Sequence, residues 1–236
     1  MKTKKIITSL LMFATLFSYA SAEEPDYTLY GKALRAHVSR GSVNYTALAR
    51  DKGFKTFVSN LKKFDRSKLR TTKEKKAFYI NLYNALTLDL VASNMPVTSI
   101  KKISRPWAKK LYVNGGDKFS LDHIEHKILR PMGDYRIHFA INCASIGCPD
   151  LRAEPYTSAK LSRQLGEQMK LFLADKRKGV NVGSGGVATV SKIFKWFKKD
   201  FAASGGVLSI LQKRHTQGSS IKSLKYSSYN WNLNGK

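Results

Sequence analysis

Acidic side chains are scarce: 16 Asp and Glu stand against 42 Lys and Arg, a formal net charge of +26 at pH 7. The imbalance excludes a neutral surface; it reads either as a solvated basic surface that serves solubility or as a surface for anionic surroundings, an envelope lipid or glycan, and the substrate is left unassigned. Nucleic acid is not expected, because the lysines are dispersed along the chain and no DNA- or RNA-binding motif accompanies them. Cysteine is nearly absent, with two in 236 residues, so at most one intrachain disulfide is available. Long apolar runs are missing beyond the N-terminal segment, which leaves no later stretch of the roughly 18 apolar residues that a membrane helix needs. The chain also lacks a phosphate-binding Walker loop, a dinucleotide fingerprint in strand and helix context, and a Gly-x-Ser-x-Gly elbow. Internal repeats and low-complexity linkers are absent too.

The N-terminus places Lys2, Lys4 and Lys5 before the apolar run 6–17 and the tripeptide Ala20-Ser21-Ala22. That order is the charged region, apolar region and cleavage site of a secretory signal. Residues 1–22 are therefore expected to be removed, leaving 23–236 as one globular domain, periplasmic or secreted. Setting the three leader lysines aside leaves +23 for this domain. No cysteine follows the cleavage site, so a lipid anchor is not expected.

Helical spacing recurs along the chain. It covers 27–38 and continues through Phe54, Phe57, Val58 and Leu61. The segment 73–93 is apolar nearly all round, which predicts a buried central helix with Thr72 as its cap. Asn81 and Asn84 share one face of it. Buried amides must be hydrogen-bonded, so the pair either clamps a neighbouring loop or orients a substrate. Leu111-Tyr112-Val113, Asn114-Gly115-Gly116 and Lys118-Phe119 suit a hairpin. Ser120 then caps a helix over 121–129 that carries Glu125 and His126. Further helices are expected over 158–173, 192–201 and around 207–211, with two short strands within 180–190. Trp231, close to the C-terminus, implies that the tail docks back onto the body.

The chemistry gathers in Arg136 to Arg152, RIHFAINCASIGCPDLR. Arg136 to Asn142 alternates polar and apolar residues, the pattern of a half-buried strand, and Gly147 and Pro149 require a loop after it. The predicted strand displays Arg136, His138 and Asn142 on one face and delivers Cys143 and Cys148 to the loop. Outside the cytoplasm the two cysteines read as a disulfide, as a reactive thiol or as inert thiols. A thiol nucleophile needs an imidazole base and a group to orient it. Cys143 or Cys148 would be the nucleophile, His138 or His126 the base, and Glu125, Asn81 and Asn84 the supporting groups. Arg136, Asn142 and Arg152 are candidates for holding substrate. Zinc or copper on the cysteines and a histidine is the weaker alternative, since Cys-x4-Cys departs from the usual spacing; no metal or other cofactor is therefore assigned.

The segments FYINLYNALTLDL, SLDHIEHKILRP, RIHFAINCASIGCPDLR, SKIFKWFKKDF and YNWNLN resemble, in order, the family catalogued as domain of unknown function 547. The resemblance runs from about Val43 to Asn234. It carries the family's motif positions onto Asn81, Asn84, Glu125, His126, Arg136, His138, Cys143, Cys148 and Pro149; where members often have Trp, this chain has Tyr79. The family name implies no activity. The expected fold is a helix-rich α/β or α+β domain whose small sheet includes Arg136 to Asn142, analogous to papain-like and transglutaminase-like enzymes. The expected function is a thiol-dependent hydrolase or transferase acting on amides or thioesters. The alternative is a binding or scaffold module with a basic surface.

Overall fold

In the computed structural model, which describes residues 23–114 and 116–236, the chain opens with α1 (Thr28–His37). The short strands β1 (Val38–Ser39) and β2 (Ser42–Val43) follow, then a single turn, α2 (Tyr45–Leu48), and the amphipathic α3 (Lys52–Lys63). The signal peptide assigned to 1–22 lies outside the described residues. α1 and α3 press Tyr30, Leu34, Phe54 and Phe57 into one core, with the rings of Tyr30 and Phe57 stacked 4.6 Å apart.

That core surrounds α4 (Thr72–Ala92), which is buried on every side from Lys76 to Leu88. A helix apolar all round has no solvent face to offer, and its position at the centre follows. Its cap is Thr71, one residue before the expected Thr72. The Thr71 hydroxyl accepts from the Glu74 N–H at 3.2 Å, and the Glu74 carboxylate accepts from the Thr71 N–H at 3.1 Å. This reciprocal pair satisfies two of the helix's unpaired donors.

β3 (Tyr112–Asn114) and β4 (Asp117–Phe119) form the expected antiparallel hairpin. Ser120 caps α5 (Leu121–His123), which widens into a π-helical turn over Ile124–Leu129. The next segment overturns the predicted strand: Tyr135–Phe139 is a 3-10 helix capped by Asp134, and 140–149 is irregular. The alternation misleads because His138, Ala140 and Asn142 are buried along with Ile137, Phe139 and Ile141. Residues 137–142 have no solvent face, and local turns together with the Asn84 amide, at Ala140 O and Asn142 N, satisfy their backbone in place of a sheet.

The remainder builds a second core: α6 (Leu161–Ala174), β5 (Val180–Val182), β6 (Val187–Val190), α7 (Lys192–Trp196), α8 (Lys198–Ala202), α9 (Gly206–Arg214) and β7 (Ser223–Tyr226). β6 pairs antiparallel to β5 and parallel to β7. The single helix expected over 192–201 breaks at Phe197, whose backbone leaves the helical region. The fold is thus helix-rich α+β with small sheets of two and three strands. Residues 137–141 tie the cores together, with Ile137, Ala140 and Ile141 in the first and Phe139 in the second. No helix of the described residues is long and apolar enough to cross a membrane.

The C-terminal segment docks back as expected. Trp231 packs edge-on to Trp107 at 5.6 Å, and Asn234 accepts from the Tyr45 hydroxyl at 2.7 Å.

Candidate functional site

A cleft of about 120 Å³ opens where the two cores meet the C-terminal segment. It is lined by Tyr83 of α4, Glu125, His138, both cysteines, Phe197 and an aromatic rim of Trp107, Trp196, Tyr229 and Trp231. Its size suits one small side chain or a few waters, well below a whole-ligand pocket. Tyr229 is also a wall of an adjoining groove of about 850 Å³, whose lining includes Arg40, Arg177, Lys178 and Asp150, with Lys178 ion-paired to Asp150 and Arg177 to Asp175.

His138 is held from one side only. Its Nε2 lies 2.7 Å from Asp200 Oδ2, and its ring stacks on Phe197 at 3.9 Å. Asp200 is gripped in turn by Arg130, through Nε at 2.6 Å and Nη2 at 2.8 Å. The guanidinium, with the imidazole as a second donor, holds the Asp200 carboxyl below the usual carboxylate range. Burial drives His138 down to about 4, so the imidazole is neutral at pH 7. Because the acceptor at Nε2 is a carboxylate, the single ring proton resides there and Nδ1 carries a lone pair. That Nδ1 is buried and has no hydrogen-bond partner, so the imidazole is oriented by one group and keeps a second ring atom unsatisfied.

Glu125 has the opposite perturbation. Burial raises its carboxyl to about 7, against the opposing pull of the adjacent Tyr83 hydroxyl. The cleft therefore holds a carboxyl that keeps its proton near neutrality and an imidazole that has lost its own, the pairing of an acid with a base.

These two shifts predict opposing stability profiles. Glu125 contributes stability below its ordinary pKa that is lost as pH rises to about 7; His138 contributes stability above its ordinary pKa that is lost as pH falls to about 4. Glu125→Gln leaves the imidazole slope, so the melting temperature is expected to rise with pH between about 4.5 and 6.5. His138→Gln leaves the carboxyl slope, and its melting temperature should fall over the same range. Parallel profiles for the two variants in thermal melts would contradict the assignment.

Cys143 and Cys148 are joined as a disulfide. Cys148 is buried and Cys143 partly exposed. Among the described residues no group of three or more His, Cys, Asp and Glu converges as metal ligands would. The bridge sits in a loop fastened by other means. Asn142 donates from Nδ2 to Pro149 O at 2.8 Å and accepts from the Ala144 N–H at 2.8 Å. Ile146 and Gly147 donate to Asn232 O and Asn230 O, each at 2.9 Å. A Cβ on Gly147 would stand 3.0 Å from the Tyr229 ring, so glycine lets the tail lie flat against the loop.

The cleft thus unites Glu125, His138, Cys143 and Cys148. Other singled-out residues lie elsewhere. α4 reaches the cleft through Tyr83, whereas Asn81 clamps Tyr156 with bonds of 2.7 and 2.9 Å to its carbonyl and N–H. Asn84 likewise donates to Ala140 O at 3.0 Å and accepts from the Asn142 N–H at 2.8 Å. His126 is exposed and its Nδ1 lies 3.0 Å from Arg130 Nη1. Arg136 pairs with Asp134, and Arg152 with Glu154 and Glu167. Sequence reasoning missed Asp200, Tyr83 and Tyr229. Asp200 had a signal, being the one acid in the lysine-rich 192–201 segment.

Residues 67–173 match a family model described as Protein of unknown function, DUF547. The match covers α4, Glu125, His138 and the cysteine loop; Asp200, Tyr229 and Trp231 lie beyond it. No curated protein and no solved structure matches the chain.

Proposed function

Taking as premise that residues 67–173 belong to the DUF547 family, whose name assigns no activity, we propose that the cleft is the centre of an extracytoplasmic thiol-dependent hydrolase or transferase. The reading rests on one observation: the unpartnered Nδ1 of His138, an imidazole lining the same cleft as both sulfurs and oriented by Asp200. The disulfide is its resting form, and a thiol reductant opens it. Cys143, the more exposed sulfur, then attacks the carbonyl carbon of an amide or thioester and gives its proton to His138 Nδ1. The bond to the leaving group breaks, and that group takes the Glu125 proton. Water or a second nucleophile then attacks the thioester and returns a proton to Glu125. The released Cys143 sulfur recovers its proton from His138. The small cleft admits the reacting group while the adjoining groove takes the remainder of the substrate, and the chain's net charge of +26 favours an anionic envelope polymer.

Cys148→Ala leaves Cys143 free and is expected to cleave a thioester probe without reductant. The wild-type protein should do so only after reduction, and Cys143→Ala in neither state. A Cys143→Ala protein with wild-type turnover would remove the reading.

The size of the groove and the net charge of +26 favour a second reading, a non-enzymatic module that binds anionic lipid or glycan. It requires vesicle binding that weakens with salt, and binding equal at low and high salt would count against it.

A further inference from the structure

The disulfide has little to do as a staple. It closes a loop with a sequence separation of only 5, and short loops gain least from cross-linking. Asn142 already bonds both ends of that loop, to Ala144 and Pro149, and the C-terminal segment holds its middle. Opening the bridge leaves these restraints in place.

The two sulfurs are also unequal. Cys148 Sγ is buried and faces two donors, the Cys143 N–H at 3.0 Å and the Tyr229 hydroxyl at 3.2 Å. In one proton arrangement Ser145 Oγ, 3.0 Å away, donates to the Tyr229 oxygen, and Tyr229 donates to Cys148. Cys143 Sγ also has Ser145 Oγ at 3.1 Å and the Tyr229 hydroxyl at 3.3 Å, so the donor that Cys148 alone receives is the Cys143 N–H. Burial raises the Tyr229 phenol above its ordinary range, so it keeps the proton it donates. Donors aimed at a sulfur stabilise the thiolate over the thiol, and a stabilised thiolate is the better leaving group. Cys143 is partly exposed and lines the cleft.

We propose that Cys143 and Cys148 form a thiol–disulfide exchange site for external thiols and disulfides, in which an incoming thiolate attacks Cys143 Sγ and expels Cys148 as the thiolate. The incoming sulfur forms a mixed disulfide with Cys143, and the electron pair of the broken S–S bond passes to Cys148. A second external thiolate attacks the external sulfur, leaving the Cys143 thiolate and an external disulfide. Two thiols are oxidised and one protein disulfide is reduced by two electrons; the reverse sequence, driven by an external disulfide, closes the bridge. The proposal does not rest on hydrolysis, because its readout is where a sulfur adduct forms.

The test is to mix the folded wild-type protein with 2-mercaptoethanol, quench in acid at short times, and locate the adduct by mass spectrometry. The expected adduct is on Cys143, with Cys148 free. Adducts on Cys148, adducts divided equally, or a bridge that opens only after unfolding would overturn the proposal. Tyr229→Phe keeps the ring against Trp196 and Trp231 while removing one donor to the thiolate. It is expected to shift the exchange equilibrium toward the disulfide by about tenfold; an unchanged constant overturns the role given to the phenol.

Discussion

Replacing Asn84 with leucine is expected to lower the unfolding free energy by roughly 2–6 kcal/mol, because it strips partners from two buried backbone groups at about 1–3 kcal/mol each. Those groups are the Ala140 carbonyl and the Asn142 N–H, which the Asn84 side chain meets at 3.0 and 2.8 Å. No sheet stands behind residues 135–142 to replace those bonds. Asn142 in turn holds both ends of the cysteine loop, so the loss propagates toward the cleft. Against a total stability on the order of 5–15 kcal/mol, that is a large share. Urea unfolding should show a lower midpoint with an unchanged slope. Asn94, an exposed residue with one bond to Leu90 O, is the control; its alanine variant should change stability by less than about 0.5 kcal/mol. An Asn84→Leu protein as stable as that control would show that the amide is not a clamp.

The second large effect is kinetic. Exchanging His138 for glutamine preserves a donor toward Asp200 while removing the base, and it is expected to lower kcat/KM on a thioester probe by roughly 10²–10⁴-fold. The pH profile of the reduced protein carries the assignment further. Activity needs His138 without its proton and Glu125 with one, so kcat/KM should be bell-shaped, with limbs near about 4 and about 7. Glu125→Gln should lower the maximum and remove the alkaline limb. A wild-type profile that keeps rising above pH 8, as ordinary thiol ionisation would give, contradicts the carboxyl's role.

The sequence carried much of this fold and only part of the site. The helix at 72–92 was legible because its apolar residues leave no polar face, and the hairpin at 112–119 because Asn-Gly and Gly-Gly fit tight turns. The return of the tail followed from Trp231. Residues 136–142 misled because period-two alternation cannot be told from a fully buried segment whose polar residues bond inward. His138 and Asn142 were noticed for their type, yet the task of His138 comes from Asp200, distant in sequence, and Asn142 bonds its own following loop and the distant Asn234. Glu125 and the cysteines could be named from composition. That they share a cleft with Tyr229, and that the asparagines of α4 do not, depends on packing between two cores, which local pattern does not encode.

The central claim is that the His138 imidazole acts on a sulfur of this cleft, and alkylation tests it most directly. In Cys148→Ala, where Cys143 is the remaining thiol, iodoacetamide labelling is followed from about pH 5 to 9 with His138 present and with His138→Gln. The account predicts labelling at least about tenfold faster with His138 below pH 7, converging at high pH where the thiol ionises unaided. Coincident rates across the whole range would contradict it.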